Sequence, residues 1–557
     1  MSAACVGADD ARGGQLFAML IFIIGLQSVV AADPPPYTFS LDQSIPCPRD
    51  LDDTWYSQRK VDAAPVLPNA STALAGVLSS IPEMLDGNMK TLNAPSAMFI
   101  AYQNGKKLFE SYRGTARLHK AVPVTASSGF RIASNSKVFT SVMLFMLRDA
   151  GHLPQGLDTP VATIMPNWVE PAPSMGTGGR QSKRGLTLRA LATHASGLPR
   201  ECPHGHTEKE ILDKIGQMKM LFPQYASTAY SNLGVSLLGR TLEKVTPDGL
   251  TWEDWVANKI MRPLGMKGSG PCLRTEAEVA TIVDGVDPAT GALIPIHSQN
   301  KSICNWGAPA GEVFSTPHDM AIWSSFLAGT IHAPDVLDPS TVNEMRNSLM
   351  VQPDAISAVS GGTLESAFSH GRWTFNKLGC LDGYRSAITI VPQLGLSLFA
   401  AAASTCDIYG DGDAVGFPIV SKLIQPLEEI LTKRFDDAQK SLPPTAADLI
   451  GRYKCGSGVS TIAKAADGTL QIDRLGTYPW SLLPLDGQPD AYRLLMRTLP
   501  MTHAGCESKE YPGANLCQPS CFRQMARGDI ELLYARRNHS KVTEIEVPGE
   551  GIVCVKE

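Results

Sequence analysis

Ser134-Asn135-Ser136-Lys137 places a hydroxyl and an amine three residues apart, at the head of the dense apolar segment Val138 to Leu147. On a helix that spacing puts both side chains on one face, so Lys137 can serve Ser134 as base or proton relay. A helix start also carries unpaired backbone N–H groups and positive dipole, which suit a developing anion. The pattern is weak alone. Ser57-Gln58-Arg59-Lys60 and Ser298-Gln299-Asn300-Lys301 match it too, and an isolated match is ordinarily a surface serine. Two further fragments change the weighting. Tyr230-Ser231-Asn232 sets a phenol and an amide before a segment with helical spacing, Leu233, Leu237, Leu238, Leu242 and Val245. Lys377-Leu378-Gly379 sets a cation and backbone N–H groups before a hairpin. Neither is specific by itself, since Tyr102-Gln103-Asn104 and Lys454-Cys455-Gly456 repeat the residue types elsewhere.

The surrounding elements must hold these groups in one cleft. Ala97 to Tyr102 and Lys107 to Arg113 flank an Asn104-Gly105 turn, a strong hairpin signal because both residues tolerate positive φ. Val138 to Leu147 predicts a helix buried on most sides. Ala387 to Val391 and Leu396 to Ala402 predict a second hairpin. Strands at both ends with helices between predict one antiparallel sheet assembled from distant parts of the chain, flanked by helices and carrying a helical region, with Lys422 to Gln439 as a closing helix. After Ser441-Leu442-Pro443-Pro444 the texture becomes short strands (Thr469 to Ile472, Ile530 to Tyr534, Val542 to Val547) between tight turns, which predicts a small C-terminal β domain. The expected division is 1–32 leader or anchor, 33–70 proline-rich segment, 71–440 main α/β (α+β) domain and 445–557 β domain.

At this point the chain resembles the serine β-lactamase and penicillin-binding protein superfamily, above all class C β-lactamases, D-aminopeptidase and esterase relatives, and eukaryotic β-lactamase-like proteins. That family shows S-x-x-K, Y-x-N and K-T-G or H-x-G in this order and at comparable gaps. The flanks agree as well. Phe130 to Ser134 and Lys137 to Ser141 look like its nucleophile segment, Leu191 to Pro199 resembles L-L-T-H-T-S-G-L-P, and Pro309 to Thr316 resembles P-A-G-G-x-x-S-T. Gly383 also follows Lys377 at the family's spacing. The likeness runs over residues 75–435. It implies the β-lactamase/transpeptidase-like fold and a serine hydrolase or acyl transferase working through an acyl-serine, without metal or organic cofactor, on small esters, amides or peptides. By the same resemblance Ser134 would be the nucleophile, and Lys137 and Tyr230 would share the proton traffic. Asn232 would bind the acyl side, Lys377 would supply positive field, Gly379 would line the cleft, and the N–H groups of Ser134 and Cys380 would form the oxyanion hole. Leu378 departs from the pattern, standing where lactam-processing members carry a hydroxyl for a substrate carboxylate. β-Lactams and D-Ala-D-Ala peptides are therefore disfavoured as natural substrates. The competing expectation is a scaffold or binding protein that keeps the fold after its chemistry has decayed.

Composition narrows the remaining classes. The chain has 557 residues, 49 Lys and Arg against 54 Asp and Glu, and 43% apolar residues. It is long enough for an enclosed site without disulfide support, and no basic block predicts a nucleic-acid surface. Leu16 to Val30 followed by Ala31-Ala32 and Asp33-Pro34-Pro35-Pro36 reads as a cleaved leader with secretion, the alternative being an uncleaved anchor that holds the domain outside the cytosol. Of 12 cysteines, 11 remain once Cys5 leaves with the leader, which predicts several disulfides and at least one thiol that is free or paired to another chain. Asn69, Asn300 and Asn538 begin glycosylation sequons. His194 reads as a packed residue rather than a base. Cys202-Pro203-His204-Gly205-His206 reads as a loop in preference to a metal site, and Arg527-Gly528-Asp529 as a turn before a strand. The expected partner is a small acyl substrate; oligomeric state is left open.

Overall fold

A computed structural model describes residues 70–557 apart from 118–119, 174–184, 287–292, 295–304, 348, 352–356, 370–371, 382, 406–418, 421, 428, 431–441, 466–467, 474–478, 486–487, 497–530 and 548–550. The leader, the proline-rich segment, the sequons at Asn69 and Asn300 and the Arg527-Gly528-Asp529 tripeptide lie outside the described residues.

Nine strands form the central antiparallel sheet: β1 (Ser96–Gln103), β2 (Lys106–Arg117), β3 (Lys120–Pro123), β4 (Leu349–Val351), β5 (Ser357–Ser360), β6 (Glu365–Ser369), β7 (Arg372–Leu381), β8 (Tyr384–Val391) and β9 (Leu396–Ala403). Their spatial order is β4-β5-β6-β7-β8-β9-β1-β2-β3, so the two ends of the domain meet where β9 pairs with β1, Ser96 opposite Ala403. Both predicted hairpins are present. Asn104 and Gly105 take φ of 50° and 69° between β1 and β2, as a tight turn between right-twisted strands requires.

Strand alternation explains why β1 and β9 read as unbroken apolar runs. Met98, Ile100, Phe399 and Ala401 face one core, and Ala97, Phe99, Ala101, Leu398 and Ala400 face another. The second core is closed by α1 (Ala75–Thr91), which buries Leu78, Ile81 and Leu85 along one stripe, each contributing about 1.5–3 kcal/mol. Ile419, Val420, Leu423, Ile424 and Leu427 fill the same face, and 422–427 are helical; the rest of the predicted closing helix, 431–439, lies outside the described residues. The first core is built on α2 (Ser136–Asp149), α3 (Asn232–Leu242) and α4 (Pro317–Leu327). Within it Phe139 of α2 stacks on Trp323 of α4, with centroids 3.9 Å apart.

The C-terminal strands close into an eight-stranded barrel, from Gly451–Cys455 to Ile552–Lys556. Its interior is packed with Tyr453, Leu470, Trp480, Tyr492, Leu494, Leu533 and Ile545. A disulfide joins Cys455 to Cys554 across the first and last strands. Cys202, Cys272 and Cys380 are disulfide-bonded as well, and no described cysteine is free, so the odd thiol expected from the count is not among the described residues. Cys202 cannot offer a thiolate to a metal, which removes that reading of 202–206. Among the described residues no helix is long and apolar enough to cross a membrane.

Candidate active site

Ser134 lies in the 3₁₀ turn Ala133–Asn135 that leads into α2, so the α-helix begins two residues later than the motif alone suggested. Ala133 takes φ of 50°. A non-glycine residue there is strained and persists only where its surroundings over-determine it. Those surroundings are visible: Ser136 Oγ donates to Ala133 O at 2.6 Å and accepts from Val313 N at 3.0 Å, while Ile132 N donates to Val313 O at 3.0 Å. The Pro309 to Thr316 segment therefore fastens the Ser134 turn.

Lys137, the second residue of α2, donates to Ser134 Oγ at 3.1 Å and to Ala310 O at 2.5 Å. Tyr230 Oη donates to Ser134 Oγ at 2.6 Å. The 194–200 segment holds this phenol in place. Ala229 N donates to His194 O at 2.9 Å, Ser231 N to His194 Nδ1 at 3.2 Å, and Ser231 Oγ to Pro199 O at 2.7 Å. Ser231 also caps α3 by accepting from Gly234 N. His194 is thus a structural acceptor, as its packed reading anticipated.

β7 brings the third motif to the same place. Its ladder with β6 runs only from Arg372 to Asn376, whereas its ladder with β8 continues to Leu381. Past Asn376 the strand outruns β6 and lies beside the Ser134 turn. Gly379 is required there: a Cβ would be driven into Ile132 O and Ser386 Oγ and would sit 3.1 Å from Asn135 Nδ2. Ser386 Oγ itself donates to Ile132 O at 2.7 Å and accepts from Asn135 Nδ2 at 2.8 Å, locking β8 to the turn.

The electrostatics centre on the half-buried Tyr230 ring, with Lys137 Nζ and Lys377 Nζ each 4.9 Å and Arg200 Cζ 4.7 Å from its centroid. The two lysines are 0% and 1% exposed. Burial depresses the Lys137 ammonium below its ordinary range, an effect that Tyr230 opposes and Lys377 reinforces. Burial resists ionisation of Tyr230, but Lys137 and then Lys377 outweigh it and hold the phenol below its usual range. Lys377 goes the other way, because Glu365 and Tyr230 more than compensate its burial. Burial, then Lys377, Lys137 and Arg200, keeps His194 well below its usual range and therefore neutral.

Two carboxylates were missed in the sequence. Glu365 Oε1 accepts from Lys377 Nζ at 2.6 Å, and Glu201 accepts from Asn232 Nδ2 at 3.0 and 3.2 Å. The Asn232 amide expected to meet the acyl group thus has its Nδ2 shared between the two oxygens of Glu201, a contact that holds the loop at α3. No short motif contains either glutamate, and only the strand register of β6 against β7 could have revealed Glu365. Among the described residues no cluster of His, Cys, Asp and Glu could hold a metal ion.

The Beta-lactamase family profile matches residues 81–406, more than half of the chain. The chain belongs to the beta-lactamase family. Beta-lactamase-like protein 2 of Dictyostelium discoideum is 32% identical over 307 residues, covering 52% of this chain and 52% of the relative, so the chain spans about half the length of that relative. The D-alanyl-D-alanine-carboxypeptidase/endopeptidase AmpH of Escherichia coli (strain K12) is 26% identical over 330 residues, 55% of this chain and 78% of that one. The octameric penicillin-binding protein homologue from Pyrococcus abyssi superposes with a TM-score of 0.52 at 17% identity, over 86% of this chain and 99% of its own, a likeness of fold. The β-lactamase/transpeptidase-like fold is that of the serine β-lactamase and penicillin-binding protein superfamily, and the family is serine hydrolase-like.

Proposed function

We propose that this beta-lactamase-family protein is a serine hydrolase or acyl transferase that works through an acyl-Ser134 intermediate on small esters, amides or peptides. The observation that carries the reading is the double contact on Ser134 Oγ, from Tyr230 Oη at 2.6 Å and Lys137 Nζ at 3.1 Å. Such a hydroxyl loses its proton to the Tyr230–Lys137 pair as Oγ bonds to the substrate carbonyl carbon. The leaving group then departs with that proton, and water repeats the sequence to free the acid. The N–H of Ser134 and the N–H of Cys380 serve the oxyanion. Leu378 directs its C=O to Lys377 Nζ at 3.2 Å on the edge that outruns β6, and strand alternation turns the N–H of Cys380 to the same edge. Each such donor is worth about 3–4 kcal/mol. The hydrolase names of relatives such as AmpH support acyl chemistry. The apolar Leu16 to Val30 run and the disulfides support a location outside the cytosol.

The test is labelling by a fluorophosphonate probe followed by mapping of the modified residue. Ser134 is expected to carry the label, and Ser134→Ala to lose both label and turnover of an aryl acetate. Label retained by the variant, or found at Ser57 or Ser298, overturns the assignment.

A further inference from the structure

The cation that the third motif brings to the cleft is already matched. Lys377 is 1% exposed, and the carboxylate that binds it, Glu365, is 33% exposed. Glu365 begins β6 opposite Asn376, so the last residue pair of the β6–β7 ladder delivers the carboxylate beside the strand edge that outruns it. Oε1 accepts from Lys377 Nζ at 2.6 Å, while Oε2 accepts from Leu378 N over a long 3.5 Å. The adjoining Leu378 offers no hydroxyl. Arg200, 4.7 Å from the centre of the Tyr230 ring, is paired with Glu201 at 3.0 Å. An incoming anion therefore meets Glu365 before it meets Lys377.

We propose that Glu365 is a specificity-determining residue that fills the anion position at Lys377, so the enzyme takes acyl substrates whose leaving group is uncharged there and rejects those with a carboxylate. This rests on the hydrolase reading above and narrows its substrate class. Two carboxylates a few ångströms apart at the edge of a protein repel enough to change rates by about ten- to a hundredfold, with solvent and salt screening included.

The experiment compares kcat/KM for 3-acetoxybenzamide and 3-acetoxybenzoate, two acetyl esters that differ in one charge. Wild type is expected to prefer the amide-bearing ester by about tenfold or more beyond the ratio of their uncatalysed rates. Glu365→Gln keeps the shape and removes the charge, and should move that preference toward the carboxylate by about tenfold. A wild-type preference for the carboxylate overturns the proposal without any variant, so a Glu365→Gln protein that fails to fold does not shield it. A folded Glu365→Gln with an unmoved ratio overturns it as well. Ser134→Ala run beside them separates the two levels. Turnover surviving in Ser134→Ala refutes the hydrolase reading itself, whereas its loss together with an unmoved ratio refutes only the role of Glu365.

Discussion

Gly379→Ala tests whether the strand edge and the nucleophile turn are as close as they need to be. The added methyl meets Ile132 O, a backbone atom that cannot swing aside, and Ser386 Oγ, which is held by its own bonds to Ile132 O and Asn135 Nδ2. Restoring ordinary contact distance requires about 1 Å of separation between β7 and the 132–135 turn. Overpacking of this kind costs about 1–3 kcal/mol of stability, which a domain of this size can absorb. The catalytic cost is larger, because the same movement draws Cys380 N–H away from Ser134. Loss of one oxyanion donor lowers kcat by about 10²- to 10³-fold, and a 1 Å misplacement alone costs about 10²-fold. The assay is kcat and KM for an aryl acetate beside a thermal melt. kcat should fall by about two orders of magnitude with KM changed much less, since ground-state binding does not use the oxyanion donors. A variant that melts with wild type and keeps kcat within about twofold would show that the turn and β7 are not in contact, and the oxyanion assignment would go with it.

The remaining expectations concern protons. Log kcat/KM against pH should rise along a limb that belongs to the Tyr230–Lys137 pair and lies below the ordinary phenol and ammonium ranges, since both groups are held low. Glu365 raises both groups, so Glu365→Gln should move the limb to lower pH, and a limb that moves up contradicts the electrostatics. Lys137→Arg supplies a guanidinium that cannot deprotonate and should cost about 10²- to 10⁴-fold in kcat. Lys377→Arg keeps the charge and should retain at least about tenfold more activity; equal loss in both variants removes the distinction between the lysines.

The candidate site residues were the most legible part of the sequence, and the charges around them the least. Ser134, Lys137, Tyr230 and Lys377 stand in short motifs whose spacing is fixed by a helix turn, a capped helix start and a strand. The apolar runs of β1, β8 and β9 were readable because strands buried on both faces leave no polar punctuation. The surroundings of Asn232 were not legible, for the opposite reason. Its identity suits an amide that binds substrate, but where that amide points depends on Glu201, a residue 31 positions away that enters only through the fold. Glu365 stayed hidden because register, not sequence distance, places it beside Lys377. The start of α2 differs by two residues because Ala133 adopts a left-handed conformation that nothing in its side chain announces.

Burying two ammonium groups 4.9 Å from one ring makes sense only if the two do different work. Desolvation penalises both equally in kind, so their neighbours decide the outcome. Lys377 has a carboxylate in contact and is pushed up, which fixes its charge through the pH range where proteins function. Lys137 has a carbonyl, a hydroxyl and a phenol in reach, none permanently charged, and is pushed down, so its proton is the one that can leave. Environments that drive two like groups apart are what separates an electrostatic partner from a proton carrier. On this reading Glu365 keeps Lys377 charged and occupies the place a substrate anion would take, while its own charge holds Tyr230 higher than the two lysines alone would leave it. A relative that bound carboxylate substrates at this position would have to leave its third-motif lysine without such a partner, and the fixed positive charge would then come at the expense of that lysine's stability in a buried site.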